Sequence, residues 1–394
     1  MLNIADHDSL SAQIPINQWV LPNGRAPTAL NEISVIAEAD LQGEFPDLVL
    51  WDNWPIQCDN GEIAMVEGGT LWVVLSAPRV ADPDARHVVA RMRLLHHIDG
   101  QWRDCGNLLP DHFSPGSREW SGSTRLDPQT GEVTLWFTAA GRRGEAAATA
   151  EQRIFEATGW LSVLQGMPSI GGWINLRQVA VNDGTHYADL AVEQGEPSRI
   201  KGYRDPSWFR DPKDGQGYLL FTASKPASSR TSSFDGVIGI ARADGRPRNA
   251  NFTLLPPIID ADGLVTELEL PHMLARDGRY YLFWSCHGHV FAPALGKMRT
   301  GLYGMVGPTV FGPFEPLNGN GLVLANPAAE PRQAYGWHVL PTLEVIGFVD
   351  YWGLEGRDIA SDVALKSAQF GGTIAPMVTI AIDGSTTRIV SSGV

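Results

Sequence analysis

The chain has 394 residues, with 30 Lys and Arg against 44 Asp and Glu and a formal net charge of −14. Because no basic block is interleaved with aromatic residues, nucleic acid and anionic membrane surfaces are excluded as expected partners, and a neutral or cationic ligand suits this charge better. The three cysteines are scattered and form no CxxC pair, so the sequence predicts neither a disulfide framework nor structural zinc.

The N-terminal region shows no basic segment followed by a continuous apolar one, so a cleavable signal peptide is not evident. No run of about 18 apolar residues predicts a membrane span. We expect one catalytic domain over residues 1–394, with about residues 1–45 as an extension packed on it. The compartment stays open between the cytoplasm and signal-independent secretion, and the oligomeric state is not predicted.

A degenerate repeat is the clearest organising feature of the chain. Each copy has a glycine or turn, then a run of apolar or aromatic residues, then a small polar residue. The copies are GGTLWVVLSA (68–77), GEVTLWFTAA (131–140), GQGYLLFTAS (215–224), GRYYLFWSCH (278–287) and LEVIGFVDYW (343–352). Their aligned polar residues, at separations of 62, 84, 63 and 65, are Ser76, Thr138, Thr222, Ser285 and Asp350.

Each repeat is apolar at successive positions, which is typical of a strand buried between stacked sheets. Five sheets at this spacing predict an all-β fold, a five-bladed β-propeller with a funnel-shaped active site at one end of its central channel. A large β-sandwich is the alternative. Helical spacing is confined to short pieces, AEADLQ near residue 37 and AAATAEQRIF near residue 146.

The first candidate site residue lies in VLWDNWP (49–55), where Asp52 stands between Trp51 and Trp54 at the end of an apolar run. An unpaired carboxylate is costly to bury, so this position suggests either a partner or a chemical role. An Asx-turn closing a strand is the plain alternative. Indole rings beside a carboxylate favour a site where the rings stack on a sugar and the acid addresses it.

Two further acidic motifs follow along the chain. In GYRDPSWFRDP (202–212), Asp205 has Arg204 beside it as a cationic partner. Asp211 is followed, after Pro212, by the turn-forming segment KDGQG, so it is interpreted as a turn residue. In VTELELPHM (265–273), Glu267 and Glu269 would share one face of a strand and repel unless one stays protonated, which is what a general acid requires. An exposed strand edge is the alternative for this pair.

Acidic positions on separate repeats can meet where propeller strands converge on the axis. A nucleophile and an acid/base about 5 Å apart describe a retaining glycosidase or glycosyl transferase with a covalent intermediate. The sequence contains no P-loop, HExxH helix, GxSxG elbow or DxDxDG loop, so we expect no cofactor and no required metal. His96, His97, His287 and His289 are interpreted as surface or packed histidines rather than a metal cluster.

Several segments, in order, resemble those of bacterial levansucrases and inulosucrases, glycoside hydrolase family 68, whose members share a five-bladed propeller with the invertases. The segments are WDNWP, REWSGST (118–124), YRDP, TELELPH, GPFEPLNGNGLVLANPAAEPRQAYGWHVL (312–340) and GGTIAP (371–376). The resemblance runs from about residue 48 to residue 376.

This resemblance implies a sucrose-active retaining fructosyltransferase that releases glucose and passes fructose to fructan, oligosaccharide or water. It implies Asp52 as nucleophile, Asp205 as transition-state stabiliser and Glu269 as acid/base. The positions implied to bind sugar are Trp51, Trp120, Ser121, Arg204, Glu267, His287 and Tyr335. The expected partners are sucrose and fructosyl acceptors.

Some positions depart from the family pattern. Leu270 stands where many relatives have arginine, and Trp337 and His338 replace the usual residues after Tyr335 and Gly336, which puts the acceptor side in question. Two alternatives therefore stay open: a β-fructofuranosidase that mainly hydrolyses sucrose, and a catalytically silent sugar-binding propeller. Linkage type and product length are not predicted.

Overall fold

The computed structural model describes residues 15, 17–21, 31–41, 43, 45–196, 199–245, 247–359 and 362–393. Strands dominate this part of the chain. Short 3₁₀ turns occur at Glu38–Asp40, Pro83–Val88, Gly288–Val290, Pro293–Leu295 and Leu317–Gly319, and one short α-helix, α1, at Val363–Ala368. Among the described residues, no helix has the length and apolar character needed to cross a membrane.

Five antiparallel sheets, which we call blades 1 to 5, follow one another along the chain. Blade 1 contains β1 (Leu48–Gln57), β2 (Met65–Val66), β3 (Gly69–Pro78), β4 (Arg91–Ile98) and β5 (Gln101–Asn107). Blade 2 contains β6 (Arg118–Leu126), β7 (Glu132–Ala140), β8 (Gln152–Leu164) and β9 (Met167–Gln178). A small hairpin, β10 (Gly195–Glu196) with β11 (Arg199–Ile200), precedes blade 3.

The second half of the chain supplies the other three blades. Blade 3 contains β12 (Tyr203–Arg210), β13 (Gly217–Ser224), β14 (Gly236–Asp244) and β15 (Asn251–Asp260). Blade 4 contains β16 (Glu269–Arg276), β17 (Arg279–Cys286), β18 (Gly301–Gly307), β19 (Glu315–Pro316) and β20 (Leu322–Ala325). Blade 5 contains β21 (Ala334–Val339), β22 (Glu344–Tyr351), β23 (Phe370–Ile374), β24 (Val378–Asp383) and β25 (Thr386–Ser392).

The innermost strands of the blades form a closed ring. Each contacts the next in the order β1, β6, β12, β16 and β21, and β21 in turn contacts β1. Strands β1 and β6 also pair directly, in parallel, at Ile56 with Thr124 and Gln57 with Arg125. This cyclic order confirms the predicted five-bladed propeller, and the sandwich alternative is wrong.

The five repeated segments are the second strands of the five blades, β3, β7, β13, β17 and β22. Each lies between the innermost strand and the third strand of its blade, and β7 is buried at every residue from Val133 to Ala140. Neighbouring blades cover both faces of such a strand, which explains why its sequence is apolar at successive positions. The repeat therefore marks the layer that supports the innermost ring.

The two short helical pieces do not form helices. Residues 38–40 make a single 3₁₀ turn. The segment AAATAEQRIF runs as a loop into β8, where Gln152 pairs with Ala140 of β7. Sheet pairing on blade 2 outweighs the weak helical preference of the alanines.

Residues 17–21 and 31–36, which precede the first blade, lie against the last three blades. The Trp19 amide donates to Asp260 O at 2.9 Å, and its indole packs edge-on against Trp284 with ring centroids 5.1 Å apart. Asn17 donates its side-chain amide to Ile258 O at 3.0 Å. These contacts bury polar and aromatic groups together on blades 3 and 4.

Residues 31–36 bond to blade 5 and to the residue before it. The Asn31 side chain donates to Thr387 O at 2.9 Å, and the hydroxyls of Ser34 and Ser392 lie 2.7 Å apart. The Ile36 amide donates to Gln333 Oε1 at 3.1 Å. The single-domain organisation of residues 1–394 stays a prediction.

Each innermost strand is interrupted by a β-bulge where it passes the axis. Pairing with the second strand shifts register between residues 51 and 53, 120 and 122, 204 and 207, 269 and 272, and 335 and 338. A bulge turns side chains away from the regular alternation of a strand. Five bulges around one ring therefore aim five sets of side chains at the same space.

Candidate active site

A cavity of about 390 Å³, which we call the acidic cavity, is bounded by residues from the innermost strands of all five blades. Each strand contributes a side chain at or beside its bulge, and these five are Asp52, Ser121, Asp205, Glu269 and Tyr335. The three predicted acidic residues, far apart in sequence, thus share one cavity. Trp51, Trp120, Arg204, Glu267 and His287 also line it.

Asp52 is held in the bulge of β1 with a left-handed φ of 35°. The Ser121 hydroxyl donates to Asp52 Oδ2 at 2.8 Å. Burial, with the negative charges of Asp205 and Glu269 adding to it, raises the pKa of Asp52 to about 7. A non-Gly residue with positive φ is strained, and such strain is maintained where surrounding structure enforces it.

Gly336 makes room for this carboxylate. Its φ is 65°, and a Cβ at this position would lie 3.0 Å from Asp52 Oδ1 and 2.9 Å from the ring of Phe348. Only glycine combines this conformation with so close an approach at no steric cost. The bulge of blade 5 therefore supports the acid of blade 1.

Asp205 is 5% exposed and takes a left-handed φ of 59° in the bulge of β12. Its Oδ2 accepts from the Thr222 hydroxyl at 2.9 Å and from the Leu270 amide at 3.2 Å. Its own amide donates to Thr138 Oγ1 at 2.9 Å. Burial raises the pKa of Asp205 to about 6, although the nearby Arg204 guanidinium opposes the shift.

Two of these contacts come from the polar positions that end the repeats. Thr138 and Thr222 bind Asp205, and Ser285 accepts the Trp337 amide at 3.1 Å. The polar residue at the end of each of these second strands thus fastens a bulge of the innermost ring. This is a structural role that the repeat pattern alone did not reveal.

Arg204 joins the two glutamates. Its guanidinium is 5% exposed, and its Nη2 donates to both Glu267 and Glu269, at 2.8 Å to Glu269 Oε1. The closest approach to Asp205 is longer, 3.7 Å from Nε to Oδ2. Arg204 was expected to pair with Asp205; instead it mainly relieves the repulsion expected between the glutamates.

Glu269 is also fixed from blade 5, since the Tyr335 hydroxyl donates to its Oε2. Burial, and next the charge of Glu269, raise the pKa of Glu267 to about 7. Glu267 and Glu269 share the acidic cavity with Asp52 and Asp205. Burial, together with repulsion from neighbouring acids, raises the pKa values of Asp52, Asp205 and Glu267, so these three carboxyl groups hold their protons to higher pH than ordinary carboxyl groups do.

Aromatic side chains form the other part of the wall. His287 stacks on Tyr335 with ring centroids 3.5 Å apart and planes 11° from parallel, and burial lowers the pKa of this histidine well below its ordinary value. Trp51 packs edge-on against His87. Trp54 is turned away from the cavity, and its indole donates to Thr124 Oγ1 at 3.1 Å. Only one of the two tryptophans flanking Asp52 therefore faces the acids.

Sequence reasoning missed six polar residues that line the acidic cavity, namely Arg86, His87, Arg199, Thr266, His289 and Asp350. Arg86 Nη2 lies 3.7 Å from Asp350 Oδ1, and its guanidinium packs over the Phe370 ring at 4.8 Å. Asp350 gave a usable signal, because it is a carboxylate where the other four repeats have a hydroxyl. Arg86 lies in the 3₁₀ turn Pro83–Val88 between β3 and β4, where the sequence carries no comparable signal.

The positions that depart from the family pattern lie elsewhere. Leu270, with φ 53°, and His338 line a much smaller space of about 20 Å³ behind Asp205, which we call the axial cavity. Trp337 is buried and, like these two, does not line the acidic cavity. Leu270, Trp337 and His338 therefore make no direct contact with the acidic cavity, and whether they affect the acceptor side stays a prediction.

Asp211 lies in the turn between β12 and β13, as interpreted, and is not part of the acidic cavity. It is 6% exposed, and its Oδ1 accepts from the Tyr280 hydroxyl at 2.6 Å.

Among the described residues, no group of three or more His, Cys, Asp and Glu is arranged to hold a metal ion. His96 contacts Val66 O at 3.0 Å within blade 1.

The chain is similar in sequence and structure to known sucrose-active proteins. A family model described as Levansucrase/Invertase matches residues 25–233 and 225–392. The levansucrase of Zymomonas mobilis subsp. mobilis is 30% identical over 360 residues, which cover 85% of this chain and 80% of that protein. The extracellular sucrase of the same organism is 31% identical over 379 residues, covering 87% and 86%. The structure of inulosucrase from Halalkalicoccus jeotgali bound to kestose matches with a TM-score of 0.88 at 34% identity, covering 96% of each chain.

Proposed function

Because the chain belongs to the levansucrase/invertase family, we propose that it is a sucrose-active fructosyltransferase that works through a covalent fructosyl-enzyme intermediate. The observation that carries the proposal is the meeting of Asp52, Asp205 and Glu269 in one cavity, each at the bulge of a different innermost strand. A pair of carboxyl groups flanking one bond is the arrangement that retaining glycoside chemistry requires.

In the first step, an Asp52 carboxylate oxygen attacks the anomeric carbon of the fructosyl unit. The bond from that carbon to the glycosidic oxygen breaks, and Glu269 donates its proton to this oxygen, which leaves as a hydroxyl of glucose. The Ser121 hydroxyl orients Asp52, and the Tyr335 hydroxyl and Arg204 orient Glu269. Preset hydrogen bonds of this kind reduce the reorganisation needed at the moment of reaction.

In the second step, Glu269 takes a proton from the acceptor hydroxyl, whose oxygen attacks the same carbon and releases Asp52. Water as acceptor gives fructose, and a sugar as acceptor gives a transfer product. Asp205 accepts hydrogen bonds from fructosyl hydroxyls in both steps, and these bonds strengthen as positive charge develops on the ring.

The remaining lining residues hold the sugars. Trp51 and Trp120 offer apolar ring surface, while Arg204, Glu267 and His287 offer hydrogen bonds to the sugars. A cavity that combines a few polar groups with aromatic walls suits a disaccharide. We propose one catalytic domain for the whole chain, with no cofactor.

Incubating the purified protein with sucrose and measuring free glucose, free fructose and larger products together tests the proposal. Glucose in excess of fructose, with the missing fructose recovered in oligosaccharide or polymer, is the expected result. Equal release of glucose and fructose would mean that water is the main acceptor and that the protein is a β-fructofuranosidase rather than a transferase. Sucrose binding without any glucose release would mean a sugar-binding protein and would refute the catalytic proposal.

A further inference from the structure

His272 lies directly behind the proposed catalytic groups without touching the acidic cavity. It belongs to β16, three residues after Glu269, and is buried between the rings of His338 and Phe283. It lines the axial cavity on the far side of Asp205. The proposed reaction gives it no role, yet both of its ring nitrogens are engaged.

The hydrogen bonds of His272 determine its tautomer. The backbone amide of Val339 donates to Nε2 at 2.9 Å, so Nε2 carries no proton. The proton of the neutral ring is therefore on Nδ1, which donates to the Leu270 carbonyl at 2.9 Å. Burial lowers the pKa of His272 to about 4, so the ring stays neutral in neutral solution.

Leu270 is the residue that this bond holds. It follows Glu269 and has a φ of 53°, a conformation that costs a non-Gly residue about 1 kcal/mol or more. Its amide donates to Asp205 Oδ2 at 3.2 Å. Leu270 thus connects the acid/base of blade 4 to the stabilising acid of blade 3, and its strained backbone needs an external restraint to stay in place.

We infer that His272 is a positioning residue, which clamps the Leu270 carbonyl and thereby fixes both Glu269 and the amide that binds Asp205. The clamp also spans two blades, because Val339 on β21 orients the ring from blade 5. The inference rests on the proposed fructosyl transfer. It assigns a catalytic consequence to a side chain that substrate does not touch.

Two substitutions separate the two halves of the clamp. In His272→Asn the side-chain amide nitrogen occupies the place of Nδ1 and still donates to Leu270 O. In His272→Gln the amide oxygen reaches toward the place of Nε2 and still accepts from Val339, but the bond to Leu270 is lost. The two side chains have the same functional group and differ by one methylene, so they form a matched pair.

Steady-state glucose release from sucrose should show a kcat within about three-fold of the parent for the Asn variant and about ten- to hundred-fold lower for the Gln variant, with little change in KM. The acid limb of kcat/KM should move to higher pH in the Gln variant only, because Asp205 loses a hydrogen bond that lowers its pKa. His338 and Asp205 are the titratable groups that face this imidazole.

A control for packing is Phe283→Leu, which trims a ring stacked on the same imidazole and leaves its hydrogen bonds intact. Its kcat should stay close to that of the parent. All variants are assayed at one temperature, well below the lowest of their thermal unfolding midpoints, which are measured by calorimetry. Equal kcat values for the Asn and Gln variants, or losses that merely follow the midpoints and include the Leu control, would overturn the inference. Failure of the parent chain to release glucose would instead refute the proposed function.

Discussion

Replacing Asp52 by Asn should abolish glucose release and, at the same time, stabilise the folded protein above neutral pH. The substitution removes the nucleophilic charge but keeps an oxygen that can accept from Ser121. Activity falls because the covalent bond to fructose cannot form. Stability rises because the chain no longer has to keep a carboxylate ionised beside Asp205 and Glu269 in a buried position.

The size of the stability effect follows from the pKa of Asp52, which folding raises from 3.8 to about 7. The folded state therefore holds a proton that the unfolded chain releases as pH rises from about 4 to 7, so stability is lost over this interval. At about 1.4 kcal/mol for each pH unit, the penalty reaches about 4 kcal/mol at pH 8 and vanishes below pH 3.8.

Calorimetric unfolding of the parent and the Asn variant, at pH 8 and at pH 4, measures this effect. An unfolding entropy of about 2.1 cal/mol/K per residue converts about 4 kcal/mol into a midpoint rise of about 5 °C at pH 8 for a chain of this length. The midpoints should nearly coincide at pH 4. Equal or lower stability of the variant at pH 8, or a gain of the same size at both pH values, would refute this electrostatic account.

Other substitutions test the rest of the site. Glu269→Gln should lower kcat by about a thousand-fold or more, since no proton reaches the leaving oxygen, whereas Asp211→Asn should leave glucose release unchanged; a swap of these outcomes would mean that the wrong carboxylates were chosen. Arg204→Lys should lower kcat/KM at least about ten-fold, because one ammonium cannot orient both glutamates as the guanidinium does, and an unchanged value would contradict that role. Gly336→Ala should cost about 1–3 kcal/mol of unfolding free energy and most of the activity, since its Cβ meets Asp52 and Phe348; full activity on the sucrose assay would show that the close approach is unimportant.

The blade architecture could be predicted from sequence because the second strand of each blade is covered on both faces. A strand such as β7 must then be apolar throughout, and five such runs at similar spacing are visible without any structure. Two carboxylates of the site were also visible, because Asp52 stands beside Trp51 after an apolar run and Asp205 stands between Arg204 and Pro206. Asp52, Asp205 and Glu269 share one cavity as expected, and their roles remain predictions.

The bulges were not predictable. Asp52, Asp205 and Leu270 all have positive φ although none of them is glycine. Tertiary contacts impose this conformation, so no local sequence pattern predicts it. These bulges decide that Leu270 and His338 face the axial cavity rather than the acidic one. The bridge from Arg204 to both glutamates depends equally on the meeting of two blades, which lies beyond the reach of sequence spacing.

The segment at residues 31–36 has a mechanical consequence for the ring. Blades 1 and 5 meet at a joint that, among the described residues, has neither a shared strand nor a connecting loop, while every other joint has at least the loop. Residues 31–36 precede blade 1 in the chain. Their side chains and backbone form hydrogen bonds with Thr387 and Ser392 in blade 5 and with Gln333 just before it. This segment therefore helps to hold the ring closed. Removing residues 31–36 would take no side chain from the acidic cavity, yet it would delete these hydrogen bonds beside the joint between blades 1 and 5, whose innermost strands carry Asp52 and Tyr335.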